Sequence, residues 1–243
     1  MDFGAPSKID LDALERSWLD RWLRDEDNGI ENEAPLRLFI MGTNEWRDEQ
    51  EWPLARTDWQ RWHLHSDGKA NSAHGNGILS LVTAGEEQPD RFSYNPEYPV
   101  QTIGGNNCCS PDIVPWGPYD QRPIESRSDV LCFTTNPMPS DFEVTGPIKL
   151  KLYASTDGVD TDWTAKLIDV SPDGYAKNLC DSIIRGRYRE GFEKPKLLEP
   201  RQVYEYDIDV GVTANVFKAG HKIRLEVSSS NFPRFDRNLN TGE

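Results

Sequence analysis

Val159-Asp-Thr-Asp-Trp163-Thr-Ala-Lys-Leu-Ile-Asp-Val170-Ser-Pro-Asp-Gly174 reads as an extended segment running into a tight turn. Trp163, Ala165 and Leu167 fall on one side of an extended chain, and Thr164, Lys166, Ile168 and Val170 on the other. That period of two, among β-branched and aromatic residues, predicts a strand packed on at least one face. Ser171-Pro172-Asp173-Gly174 then turns the chain, proline presetting φ and glycine free to take positive values. Strand, turn and returning strand make a hairpin.

The pattern repeats on both sides. Downstream, extended segments are predicted at Ala176–Ile184, Val203–Val210 and Lys222–Ser228. Upstream they are predicted at Gln60–Leu64, Ile78–Thr83, Arg91–Tyr94, Val130–Thr134 and Lys149–Ala154. Alternation is clean in Ile148, Leu150 and Leu152 against Lys149 and Lys151, and in Ile223, Leu225 and Val227 against Arg224 and Glu226. Many short strands separated by Gly, Pro, Asn and Asp loops indicate a mainly β fold, a sandwich of the jelly-roll type. Residues 95–129 are proline-rich and poor in strand signals. A segment that long is not a simple connector; long ordered loops on sandwiches are functional or buried in an interface.

The N-terminal part differs. Leu11, Leu14, Trp18 and Trp22 recur at helical steps, with Leu19 and Leu23 widening the stripe, which predicts a helix over residues 10–28. Asp10 is a suitable N-cap and Asn28-Gly29 a suitable stop. Leu36 to Gly42 is a nearly continuous apolar run, expected of a buried strand. Helix then buried strand is the cadence of an α/β protein and occurs once, so the chain is read as beginning near the end of another domain. The polar stretch from Trp46 to Pro53 is read as the crossing. Two regions follow, 1–50 and 51–243.

A net charge of −14 repels phosphate backbones and anionic lipid, which argues against nucleic-acid and membrane-surface partners. No apolar run approaches the roughly 20 residues that span a bilayer. The first residues show no basic patch followed by an apolar segment. Four cysteines without Cys-x-x-Cys spacing predict reduced thiols in a cytoplasmic setting.

Several motifs together resemble the cocaine esterase and X-prolyl dipeptidyl-peptidase superfamily, the CocE/NonD hydrolases. They are Trp18-Leu-Asp-Arg-Trp-Leu-Arg with Asp27-Asn28-Gly29, Arg37-Leu-Phe-Ile-Met-Gly with Glu45-Trp46-Arg47, and Gly104-Gly105-Asn106-Asn107-Cys108-Cys109. Asp120-Gln121-Arg122-Pro123, Ser228-Ser-Ser-Asn-Phe-Pro233 and Asp236-Arg237-Asn238 complete the set. The resemblance implies a plan in which an α/β-hydrolase domain carries a Ser-His-Asp triad under a helical cap, and a C-terminal, galactose-binding-like jelly roll packs against both. Residues 1–50 would then be the tail of the hydrolase domain and 51–243 the jelly roll, lacking a last strand beyond Asn240-Thr241-Gly242. The nucleophile, acid and histidine of such proteins lie upstream of the tryptophan helix. The implied partners are those hydrolase and cap domains, a small ester, amide or peptide substrate in the parent, and a second copy in a homodimer. No cofactor is implied.

Residue by residue, the chain offers little chemistry of its own. No serine stands in the G-x-S-x-G turn that lifts a hydroxyl clear of the backbone. His63 and His65 would share one strand face, with no nearby carboxylate or cysteine spacing to complete a metal site. His74 and His221 are expected at the surface. Asp157, Asp160 and Asp162 crowd one loop but do not follow the EF-hand pattern, and are expected to shape the turn. A ring between Cys108 and Cys109 is strained, so two free thiols are expected there. The resemblance places the segment after the double glycine against the active-site cleft, so Asn107, Cys108 and Cys109 are expected to line an acyl pocket without entering the bond-breaking step. Exposure of the Trp18–Trp22 stripe is also expected. A reading from a different class is an autonomous carbohydrate-binding module using Trp59, Trp116 and Tyr119.

Overall fold

The computed structural model describes residues 3–108 and 111–243. Helix α1 spans Leu11–Arg24, started by Asp10, whose carboxylate accepts the Ala13 amide at 2.9 Å. It stops a turn before the expected Asn28-Gly29. Asp25 takes the left-handed conformation (φ 55°) and sends its N–H back to the Asp20 carbonyl, which closes the helix with an Asp where glycine was expected. Asn28 instead donates its side-chain amide to the Ser17 carbonyl at 2.7 Å.

Strand β1 (Leu36–Ile40) pairs antiparallel with β2 (Glu45–Glu49). Two expectations are corrected here. The apolar run is the half-exposed arm of a hairpin, not a strand buried on both faces, and the supposed crossing at Trp46 is its other arm. A turn with Gly42 at φ 89° and Asn44 at φ 58° makes the reversal. The hairpin hangs on the rest of the chain through Met41, which donates to Ala214 O at 2.9 Å and accepts from Val216 N at 2.8 Å. Gly42 is required at that junction, since a Cβ there would sit 2.3 Å from the Val216 carbonyl oxygen.

The remaining strands form two facing sheets. Six lie in the order β3 (His63–His65), β4 (Ile78–Ser80), β5 (Leu131–Thr134), β10 (Lys222–Ser228), β7 (Asp162–Val170) and β8 (Ala176–Arg185). All neighbours are antiparallel except β4 and β5. Opposite them runs a two-stranded ribbon of β6 (Phe142–Ala154) and β9 (Tyr204–Phe217). Arg91–Tyr94 forms no strand; Phe92 packs edge-on against Trp163 with ring centroids 6.2 Å apart. The mainly β class and the leading helix are as expected.

The core lies between the sheets. Trp163, Ala165, Leu167, Phe133, Leu225 and Val227 meet Leu150, Tyr206, Ile208, Val210 and Phe217 of the ribbon. The opposite face of the six-stranded sheet is covered as well, so every residue of β7 is buried. The described residues of the proline-rich segment 95–129 lie on that side and carry the short helix α2 (Arg122–Glu125); Val100 and Ile124 pack there with Val130 and Cys132. Ile168 and Val170 pack there with Ala176. The period-two reading of the opening stretch thus assigns both faces correctly. Among the described residues no helix is long and apolar enough to cross a membrane.

A glycine-stapled loop on a buried polar floor

The covering segment is closed by two glycines. Gly104 (φ 65°) and Gly105 (φ 103°) both lie where side chains are disfavoured. A Cβ on Gly104 would stand 2.5 Å from Gly117 O, and one on Gly105 would stand 2.8 Å from Asp181 Oδ1. The approach that excludes side chains is what lets the backbones bond: Gly105 N donates to Gly117 O at 2.7 Å, and Gly117 N to Gly105 O at 2.8 Å. Residues 106–108 and 111–116 lie beyond this staple. Asn107 is half-buried and folded back, donating its side-chain amide to Gly104 O at 2.7 Å. Cys108, Ile113 and Trp116 are exposed.

Three segments brace the two stems. Asn178 of β8 accepts the Tyr119 amide at 2.6 Å and returns its own N–H to Tyr119 O. The chain after β10 runs beside the other stem, where Thr102 N donates to Phe232 O and Phe232 N to Val100 O. Gln121 lies beneath both stems. Its Nε2 donates to Ile103 O at 2.7 Å and to Tyr119 O at 3.1 Å, and its Oε1 accepts from Lys166 Nζ at 3.1 Å.

The floor is the outward face of β7, β8 and β10. Lys166 stands across from Glu226 on one side and Asp181 on the other. Arg224 pairs with Glu125 at 2.6 Å, and Arg234 with Asp181 at 2.6 Å, where Asn231 also donates. All four carboxyl and ammonium groups under the loop, those of Glu125, Lys166, Asp181 and Glu226, are buried. Burial pushes the Glu226 carboxyl well up, with Glu125 beside it adding to the rise, and pushes the Lys166 ammonium down. Unpaired charges so placed are costly, and two of the carboxylates, those of Glu125 and Asp181, are each met by an arginine.

The other sequence-predicted residues fall elsewhere. Cys108 is disulfide-bonded, which corrects the free thiol expected of it; Cys109 lies outside the described residues. Cys132 and Cys180 are free and buried, as small hydrophobes are, and burial holds the Cys180 thiol up at about 12. His65 does have a carboxylate neighbour: its Nδ1 is 2.7 Å from Glu87 Oε1, and Nε2 is 2.9 Å from Val82 O. His221 is half-buried instead of exposed, with Nδ1 2.7 Å from Asp169 Oδ1. Ser171 lines one small cavity with His221 and Asp169, and its hydroxyl bonds Asp173 and the Tyr175 carbonyl. Asp160 and Asp162 hold Arg187 and Arg185, and Asn238 donates to both. They therefore tie the C-terminal segment to β7 and do more than shape a turn. Trp59 lines the crevice between the sheets, a different place from Trp116 and Tyr119 on the glycine loop.

Sequence reading passed over Gln121, Lys166, Asp181 and Arg234 as functional residues. Two signals were present: Asp120-Gln121-Arg122-Pro123 among the motifs, and charged residues alternating along two strands whose neighbours are apolar.

Residues 28–243 match the family described as the X-Pro dipeptidyl-peptidase C-terminal non-catalytic domain. The chain is 46% identical over 230 residues to cocaine esterase of Rhodococcus sp. (strain MB1 Bresler), an alignment covering 95% of this chain and 40% of that protein. The fold is similar to an aminopeptidase from a marine sediment Thaumarchaeota archaeon, with a TM-score of 0.79 and 31% identity over 94% of this chain and 38% of that one. It is also similar to an alpha-amino acid ester hydrolase, with a TM-score of 0.77 and 29% identity over 93% of this chain and 38% of that one. The chain thus spans about two fifths of the length of these relatives.

Proposed function

This chain belongs to the family of X-Pro dipeptidyl-peptidase C-terminal non-catalytic domains, and on that premise we propose that it shapes the substrate cleft of a serine hydrolase acting on esters or X-Pro peptides. The hydrolase would form an acyl-enzyme through an activated serine and release it with water. This chain would contribute a wall and no reacting atom. The observation that carries the reading is the stapled loop: its base is fixed by the Gly105–Gly117 pair and by Asn107 folded onto Gly104, and Cys108, Ile113 and Trp116 beyond the base are exposed. A rigid base with a presented tip is what a specificity wall needs, because a pocket discriminates only where its side chains are held in place.

The open stripe of α1 supports the same reading. Trp18 and Trp22 are 55% and 52% exposed, Leu11 and Leu23 more so, and no residue of the helix is buried. In a polypeptide that also carries the hydrolase domain, this stripe would pack against that domain and help hold the assembly together.

The test uses such a polypeptide. Asn107→Trp should change the ratio of kcat/KM for a short acyl ester and a bulky aromatic one by about tenfold or more, while a fluorophosphonate probe labels the serine to the same extent. An unchanged ratio across several esters overturns the reading. The 243-residue chain alone should take up no probe, and stoichiometric labelling of it would also overturn the proposal.

A further inference from the structure

Gln121 is fully buried, yet its side chain touches none of the core between the sheets through a hydrogen bond. Two of its three side-chain bonds go to backbone carbonyls, and those carbonyls belong to Ile103, just before Gly104, and to Tyr119, just after Pro118. A carbonyl oxygen only accepts. The amide must therefore turn Nε2 toward the stems and Oε1 toward Lys166, and one rotamer satisfies all three contacts. No other side chain under the loop reaches both stems among the described residues.

We propose that Gln121 is the positioning residue of the glycine loop: its amide, seated on Lys166, sets the separation of Ile103 and Tyr119 at which the Gly105–Gly117 staple closes. Lys166 in turn stands between Asp181 and Glu226, its cross-strand neighbours on β8 and β10. The geometry of an exposed tip is thereby decided by a residue that no substrate touches. The consequence for substrate choice rests on the cleft-wall reading above; the positioning itself does not.

Gln121→Glu keeps the shape and the oxygen facing Lys166 but removes both donors and sets an oxygen against two carbonyls. In this chain, amide exchange at Gly105 and Gly117 should accelerate by roughly tenfold to a hundredfold, while Leu167 and Leu225 in the sheet change by less than about twofold. Gln121→Met, which also lacks donors, should behave alike. Unchanged exchange at the staple overturns the proposal, and so does equal acceleration at staple and sheet, which marks a merely structural residue. If neither variant folds, the unsubstituted chain decides: the Gln121 side-chain NH2 protons should exchange in step with the Gly105 and Gly117 amides, and faster, independent exchange overturns the proposal. In the polypeptide with the hydrolase domain, Gln121→Glu should alter the short-to-bulky ester ratio. Loosened exchange with an unaltered ratio upholds the positioning and overturns the cleft-wall reading instead.

Discussion

Trp163 and Lys166 sit on the same strand, 7% and 3% exposed, and face opposite sides of one sheet. Trp163 meets Phe92 and Tyr206 in the core, with ring centroids 6.2 and 5.9 Å away. Lys166 meets Gln121, with Glu226 and Asp181 alongside. Both faces exclude water, but they hold by different physics. Apolar contact is non-directional and scales with area, so the inner face secures the fold while leaving the surroundings free to shift slightly. Hydrogen bonds and ion pairs have direction. The outer face therefore contributes less net stability for its burial and more geometric definition. One sheet serves both purposes because its side chains alternate.

The largest effect expected from this contrast is at Trp163. Trp163→Ala should cost about 3–5 kcal/mol in chemical denaturation, and a cost near zero would mean that the inner face is not the main source of stability. On the outer face, Lys166→Met should cost about 1–3 kcal/mol by leaving polar groups without a partner. Adding Glu226→Gln should recover part of that loss, because it removes a buried carboxyl left without its ammonium neighbour. If the double variant costs as much as the two singles summed, the two groups do not act together and the contrast between faces needs redrawing.

Smaller still is Gly104→Ala, expected to cost about 1–2 kcal/mol. Limited proteolysis should find the damage in residues 104–118, since the added Cβ meets Gly117 O and not the core.

Glu49 offers a pH test at the edge of the sandwich. Hydrogen bonds from Arg56, and then Arg47, hold its carboxyl down at about 2 from an ordinary value of 4.5. A lowered carboxyl stabilises the folded state above its unfolded pKa, and the benefit is lost as pH falls through the folded one. Protection of the Met41 and Val216 amides, which dock the β1–β2 hairpin, should therefore fall between pH 4.5 and about 2. Glu49→Gln should show a smaller step in that window. The smallest effect is expected at Trp18→Lys, within about 0.5 kcal/mol of the parent, because Trp18 is 55% exposed and no residue of its helix is buried. Self-association measured by sedimentation should fall in the same variant. A large loss of stability would mean that the stripe is packed within this chain.

Much of this was legible without coordinates wherever the signal was local. The strands at 131–134, 162–170, 176–185 and 222–228 fell within a residue or two of their expected places, because alternation is a property of neighbouring residues. The Asp10 cap was equally plain. Helix α1 ended early because Asp25, not a glycine, took the left-handed position, and nothing in the local sequence required that. The hairpin arm at 45–49 was read as a crossing because Arg47, Asp48 and Glu49 are charged. They are tolerated in a strand since Arg37, Glu143 and Arg56 lie opposite, and two of those partners are contributed by other parts of the chain.

The candidate loop was located by its motif, yet its working parts were not. Gly104-Gly105 announced a special backbone, but the need for glycine came from Gly117 and Asp181, far along the chain. The amino-acid sequence by itself determined a β-rich fold and the two faces of its central strand, because each follows from the order of adjacent residues. The tertiary structure alone decided that the polar face is buried, that Gln121 and Lys166 meet beneath the loop, and that Asp160 and Asp162 hold arginines. Such pairings depend on where distant segments cross, and chain order does not contain that distance.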